Sequence, residues 1–405
     1  MNVYKVLQLY LLQLCTYTSS STISSAVFKL TASDTTLAGH VFRKCRALTA
    51  LDCAHECLAE RPACKSINFI TRKQADSVMN CELNNATKSA HPIKLYLAKN
   101  VNYYEIIEKR RTTGASVSSV QNAIGTFHAN FTNLGASGRL GPQSLGSEYL
   151  SKDNENMVTV KEGIQFWTVP WTGTYEITAV GAAGGKDKYG LPGGRGANMK
   201  GEFDLKKGDV IKILVGQEGA KTDLIGGGGG GTFVATITNT PMIVAGGGGG
   251  AQGLNNQLLN CDASTETTGK SNACSPGSSC SIWAGGANGT GALYGDAKSG
   301  GGGGGFYSNG TSGESGGGKG FILGGEGGLS NKYPHPHGGF GGGGAGVGGG
   351  SGGGGGGGYS GGAPGPSVWD SCGGGGGSFN GGKEQVNKEG YRESGHGFVE
   401  IKLLN

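Results

Sequence analysis

The chain has 405 residues, 85 of them glycine, with 36% hydrophobic and only 16% charged residues. A net charge of +5 dispersed over 34 basic and 29 acidic side chains is no nucleic-acid footprint, so nucleic acid is not expected as a partner. Glycine in consecutive blocks excludes a collagen triple helix, which needs it at every third position, and no long uncharged apolar run offers a membrane-spanning helix.

Residues 1–26 read as a signal peptide: Lys5 precedes the apolar run Val6 to Leu14, and Ser24 and Ala26 supply the small residues before a cut at Val27. The alternative, a buried amphipathic first helix, is disfavoured by Gln8 and Gln13 inside the run and by the Ser/Thr-rich stretch after it. A secreted, extracellular protein is expected. Asn85, Asn130, Asn288 and Asn309 each open an Asn-x-Thr glycan acceptor, which fits that route. Of ten cysteines, Cys15 lies in the leader; the remaining odd number lacks paired zinc-knuckle spacing, so disulfides with one thiol left over are expected.

The first module spans residues 27–108. A helix is expected over Thr49 to Ala59, capped by Thr49 or Asp52. It carries Cys53 and Cys57 on one face, four residues apart, each free to reach a different neighbour. Pro62 stops the helix, Cys64 to Phe69 alternates as a strand, and Cys81-Glu82-Leu83 forms another. Cys53, Cys57, the Cys-x-Ser-x-Asn-Phe strand at Cys64 to Phe69 and Cys81-Glu-Leu-Asn-Asn with Ala86-Thr87-Lys88 together resemble the PAN/apple family. That resemblance implies an α+β module with Cys57 bonded to Cys64 and Cys53 to Cys81. Cys45 departs from the two-bridge pattern and is expected to be the unpaired thiol. The resemblance also implies adhesion to proteins or carbohydrates, the plainer alternative being a stapled spacer. Residues 109–124 read as an exposed linker, with Lys109-Arg110-Arg111 either a solvated charge cluster or a basic-site cleavage signal.

Residues 125–405 hold almost all the glycine, since only Gly39 and Gly114 precede Gly125. Between the tracts, strands are expected at Ile164 to Val169, Thr174 to Val180, Val210 to Val215, Thr232 to Ile237, Met242 to Ala245 and Phe398 to Leu403, arranged as an antiparallel sandwich. Alternation turns Tyr175, Ile177 and Ala179 inward and Glu176 and Thr178 outward. About 150 residues must then leave the sandwich after Ala245 and return at Phe398, at little extra closure cost. The glycine tracts, Gly226–Gly231 ahead of this excursion and Gly246–Gly250, Gly300–Gly305, Gly352–Gly358 and Gly373–Gly377 among those inside it, contain almost no serine and are punctuated by Trp283, Tyr307, Phe321, Tyr333, Phe340, Tyr359 and Trp369. This favours side-by-side threefold polyglycine helices joined by amide bonds over a flexible linker. Cys261, Cys274, Cys280 and Cys372 are expected to staple this insertion, with all three pairings open.

The ordered series Phe127-x3-Phe131 to Pro142, Gly163-Ile-Gln-x-Trp167, Thr172-Gly-Thr-Tyr175, Gly181-Ala-Ala-Gly-Gly-Lys186, Ile213-Leu-Val-Gly-Gln217, Tyr359-Ser-Gly-Gly362 and Gly395-His-Gly-Phe-Val-Glu-Ile401 is similar to the extracellular glycine-rich region of the anaplastic lymphoma kinase and leukocyte tyrosine kinase receptors. The resemblance implies a tumour-necrosis-factor-like sandwich with an inserted polyglycine-helix bundle, and binding of small secreted proteins. The chain as given shows no growth-factor-like module and no kinase after these motifs.

No chemistry is expected. Gly269-Lys270-Ser271 has Ser264 where a phosphate loop needs its first glycine, and Gly181 to Lys186 leads into Gly190-Leu-Pro-Gly-Gly-Arg-Gly196, which cannot start a dinucleotide-binding helix. His335-Pro-His337 lacks further ligands for a metal, Glu176 and Glu400 sit on strand faces, and no nucleophile and base are brought together. Catalytic residues, cofactors and metals are therefore all expected to be none. The reading is a secreted disulfide-bonded glycoprotein that binds extracellular protein or carbohydrate partners; the rival is the ectodomain of a receptor kinase that binds a cytokine.

Overall fold

The structure is a computed structural model that describes residues 11–13, 27–47, 49–60, 63–71, 80–87, 95–107, 127–186, 191–293, 295–348 and 352–404. The rest of the expected leader and the Lys109-Arg110-Arg111 cluster lie outside them. The chain is mainly β and divides into two compact units, Met1–Val120 and Gln121–Asn405.

The first unit holds β1 (Leu11–Gln13), β2 (Val27–Leu37), β3 (Val41–Cys45), α1 (Ala50–Ala59), β4 (Ser66–Ile70), β5 (Cys81–Asn84) and β6 (Leu95–Ile107). Its sheet runs in the order β1-β2-β6-β4-β5-β3, so three residues of the expected leader pair with the start of β2. The helix begins where sequence alone left two caps open. Thr49 Oγ1 accepts the Asp52 amide and Asp52 accepts the Thr49 amide at 2.9 Å, a reciprocal cap that satisfies two otherwise orphaned donors. The helix packs Cys53, Ala54 and Cys57 against Ile67, Leu83 and Tyr104. Cys53 is joined to Cys81 and Cys57 to Cys64. The side chain of Asn68 accepts the Leu37 amide and donates to the Leu37 carbonyl, tying β4 to the end of β2.

The second unit contains β7 (His128–Phe131), β8 (Val158–Lys161), β9 (Ile164–Thr168), β10 (Gly173–Val180), β11 (Gly196–Leu205), β12 (Val210–Leu214), β13 (Thr232–Thr236) and β14 (Pro241–Ala245). It ends with β15 (Ala251–Gln252), β16 (Ala273–Cys274), β17 (Ser371–Cys372), β18 (Phe379–Asn380), β19 (Lys383–Arg392) and β20 (Phe398–Leu403). Two antiparallel sheets, β19-β11-β10-β20-β7 and β18-β14-β13-β12-β9-β8, share one core. Its centre is aromatic: Trp167 stacks on Phe127 at 5.6 Å and meets Tyr175 edge-on at 5.8 Å. Tyr175, Ile177 and Ala179 point into it. Thr178, expected outside, is only 9% exposed, because Lys200 and Glu400 stand directly opposite it on the flanking strands.

The second sheet is covered on both faces. Leu214, Phe233 and Val244 turn away from the shared core and pack on Phe306, Phe321 and Phe340 of the glycine-rich insertion. This explains the near-continuous burial of β13 and β14, where a half-exposed strand would alternate. The glycine tracts are bonded without α or β ladders. Along Gly226–Gly231 each amide reaches a different neighbour and the neighbour repeats every third residue. Gly226 and Gly229 donate to Ala251 and Gly248, Gly227 and Gly230 to Ala220 and Gln217, and Gly228 and Gly231 to Gly344 and Gly341, all at 2.8–3.0 Å. A repeat of three with every bond leaving the segment is the geometry of an extended threefold helix in a bundle of its own kind. A Cβ on Gly228 would enter the Gly355 carbonyl, so the spacing of these segments requires glycine there. Cys261 is bonded to Cys372 and Cys274 to Cys280, beside the small sheet β15-β17-β16.

A second expectation is corrected. The excursion closes at Phe379, where β18 pairs with β14, and not at Phe398. β19 follows at once as the partner of β11. Its sequence, Lys-Glu-Gln-Val-Asn-Lys-Glu-Gly-Tyr-Arg, gives no apolar alternation because it is an edge strand exposed along most of its length.

Candidate binding surfaces

A recess lies at one end of the second unit's paired sheets, between them. It encloses about 340 Å³ and is lined by Phe203, Leu205, Val210, Ile211, Ile237 and Met242, with Asp204, Asp209 and Thr236 at its polar margin. Its wall is set by the β11–β12 turn. Gly208 takes a positive φ of 90°, and Asp209 accepts the Lys206 amide at 2.9 Å. Asp204 is clamped from outside: Lys383 donates to it at 2.8 Å and Thr174 Oγ1 at 2.8 Å, and these hold its carboxyl below the usual range, Lys383 most. The apolar floor suits an aliphatic or aromatic group of a partner, and the carboxylates at the mouth suit its polar flank.

A second feature lies beside the small sheet. Trp369 is 50% exposed and its indole rests where a side chain on Gly253 would have to sit. Asp370, at a positive φ of 58°, braces this corner by accepting the Asn255 backbone and side-chain amides at 3.0 Å and the Ser275 hydroxyl. On the outer face of the first sheet, His128 meets Glu400 at 2.6 Å, Lys402 reaches Glu400 at 3.1 Å and Glu176 at 4.0 Å, and Lys200 binds Glu176 at 2.9 Å. Glu176 and Glu400 are thus members of a cross-strand ion chain. Lys402 and His128 help hold the Glu400 carboxyl low against the opposing effect of its burial.

The other residues singled out from sequence fall in separate places. Asn85, Asn130, Asn288 and Asn309 are all exposed. Asn288 and Asn309 lie close together, since the Tyr307 amide donates to the Gly289 carbonyl. His335 and His337 stack at 5.9 Å, but both rings serve their own loop: His337 Nδ1 accepts the Ser330 amide, and His335 Nδ1 meets the Ser330 carbonyl. Burial, then the neighbouring His335, pushes the His337 pKa down, as an accepting neutral ring requires. Among the described residues no cluster of three or more His, Cys, Asp or Glu could hold a metal. Lys270 donates to the Leu259 carbonyl and pairs with Glu389 at 3.3 Å, so it is engaged in the fold. Gly181 to Gly185 continues β10 into the glycine bundle, and among the described residues no helix lies between it and β11.

Sequence reading missed the cleft and the Trp369 corner. The cleft depends on β11, which was not anticipated although Met199, Gly201 and Phe203 alternate with Lys200, Glu202 and Asp204. No pattern signals the corner, because Gly253, Asn255, Ser275 and Trp369 come together through the disulfide-bonded small sheet.

No helix of the described residues is long and apolar enough to cross a membrane. No family model matches the chain. It is similar to the leukocyte tyrosine kinase receptor of Mus musculus, with 39% identity over 109 residues, which covers 25% of this chain but 12% of the receptor.

Proposed function

We propose that the chain is a secreted, N-glycosylated, disulfide-bonded protein that binds extracellular protein or carbohydrate partners. In this reading residues 1–26 are a leader, 27–108 a PAN/apple module, 109–124 a linker and 125–405 a glycine-rich module with a tumour-necrosis-factor-like sandwich. The observation that carries it is an open apolar cleft between two sheets in a chain similar over part of its length to the leukocyte tyrosine kinase receptor. Disulfides in both units and the exposed asparagines of four glycan acceptors support the same compartment. The test is binding of the purified protein to cultured cells and to their deposited matrix. Saturable binding that Ile237→Glu weakens by about tenfold or more, with melting unchanged, is the expected result. Absence of saturable binding to either surface would overturn the reading.

The similarity to the leukocyte tyrosine kinase receptor favours a second reading, in which these modules are the outer part of a receptor chain that binds a small secreted protein. A membrane-bound species much larger than 405 residues would select it.

A further inference from the structure

We propose that the first unit carries an internal thiol–disulfide exchange site, in which Cys45 displaces Cys53 from Cys81 and so switches how helix α1 is tied to the sheet. Three cysteines, not one, make the site. Cys45 on β3 stands directly opposite Cys81 on β5 in the antiparallel register. Residues opposite each other in such a pair point to the same face with Cβ atoms about 5 Å apart. Cys45 packs on the same apolar cluster that contains Cys53 and Cys81. Cys81 is already bonded to Cys53 across a Cα separation of 5.5 Å, and Cys45 is the free thiol.

The step balances without an outside oxidant or reductant. The Cys45 thiolate attacks Cys81 Sγ, the Cys45–Cys81 bond forms as the Cys81–Cys53 bond breaks, and the electron pair leaves on Cys53 sulfur, which takes up a proton. The product is a cross-strand bridge between β3 and β5. Helix α1 then keeps only the Cys57–Cys64 bond near its C-terminal end, and its first turn is released from the sheet.

The surroundings hold the site in check. Burial, then Glu56 on α1, pushes the Cys45 thiol pKa up, and Arg43 on its own strand opposes them. Arg43 is itself engaged by Glu56 and Glu60 of the helix. From β5 the charged neighbour is Glu82, which pairs with Lys44 at 2.7 Å. The attacking thiolate is therefore scarce at neutral pH, and its fraction grows about tenfold per pH unit below the thiol pKa.

The experiment incubates the intact native protein without reductant at pH 7 to 9, blocks thiols with N-ethylmaleimide and maps peptides without reduction. The expected result is label on Cys53 together with a Cys45–Cys81 linked peptide, both accumulating faster at higher pH, while Cys57–Cys64 stays intact. In Cys45→Ser no label reaches Cys53. Label confined to Cys45 at every pH and time overturns the proposal. Label on Cys57 or Cys64 also overturns it, because it shows general scrambling and not exchange set by the β3–β5 register.

Discussion

Replacing Gly228 by alanine tests the physical basis of the glycine bundle. Gly228 donates to the Gly344 carbonyl at 2.9 Å and accepts the Gly339 amide at 2.9 Å, and Gly344 in turn donates to the Gly355 carbonyl at 2.8 Å. The new methyl group would overlap that same Gly355 carbonyl, which is backbone and has no rotamer to escape into. Separating the segments to make room strains or breaks all three bonds in a site closed to water. At about 1–2 kcal/mol for each buried group left unsatisfied, the loss is roughly 3–6 kcal/mol, a large part of an ordinary domain's stability. Calorimetry should show melting of the second unit fall by about 5–10 °C. Gly138→Ala is the control: it has a positive φ of 93° but nothing within 4 Å of the new Cβ, so its cost is the left-handed conformation alone, about 1–2 kcal/mol. Equal melting of Gly228→Ala and wild-type protein would refute the reasoning, because it would mean that the segments are not packed backbone to backbone.

The remaining predictions address other parts of the two units. Thr49→Ala removes half of the reciprocal cap on α1 and should cost about 1 kcal/mol in urea unfolding of the first unit. Phe321→Ala empties the layer where Phe321 stacks on Phe233 at 5.0 Å, and about 3–5 kcal/mol should be lost from the second unit. His396 accepts the Glu218 amide at 3.0 Å through Nδ1, and burial, with Arg392 and Lys221, lowers its pKa against the opposing pull of Glu218. The unfolded chain therefore takes up the proton first: this contribution is complete above about pH 6.5 and is lost as pH falls toward the lower folded value. Melting followed from pH 7.5 to 5 should decline less steeply in His396→Gln; identical slopes would remove His396 from the account.

Much of this architecture is legible in the residues, and the illegible parts share a cause. β10 shows itself by alternation, Tyr175 and Ile177 turning to the core between Thr174, Glu176 and Thr178, and in β12 the core-facing Ile211 and Ile213 flank the polar Lys212. β13 and β14 show themselves as short continuous apolar runs, and their two-sided burial explains why. β19 is hidden, since it is held by its backbone to β11 and contributes no side chain to the core. The long β2–β6 pairing escapes notice for a related reason: its register shifts twice, so no single period of two runs through it. Binding surfaces are least legible. The Trp369 corner joins Asn255 to Asp370 across 115 positions, and the cleft opens between β11 and the strands that follow it, so neither is carried by one local pattern.

The compartment of the native protein tests the central claim most directly. Fractionation of the source tissue, followed by blotting with and without reductant and with and without glycan removal, reads location, disulfides and glycans together. The account predicts a species in medium or matrix whose mobility shifts on reduction and on glycan removal. A cytosolic species that shifts under neither treatment would contradict it.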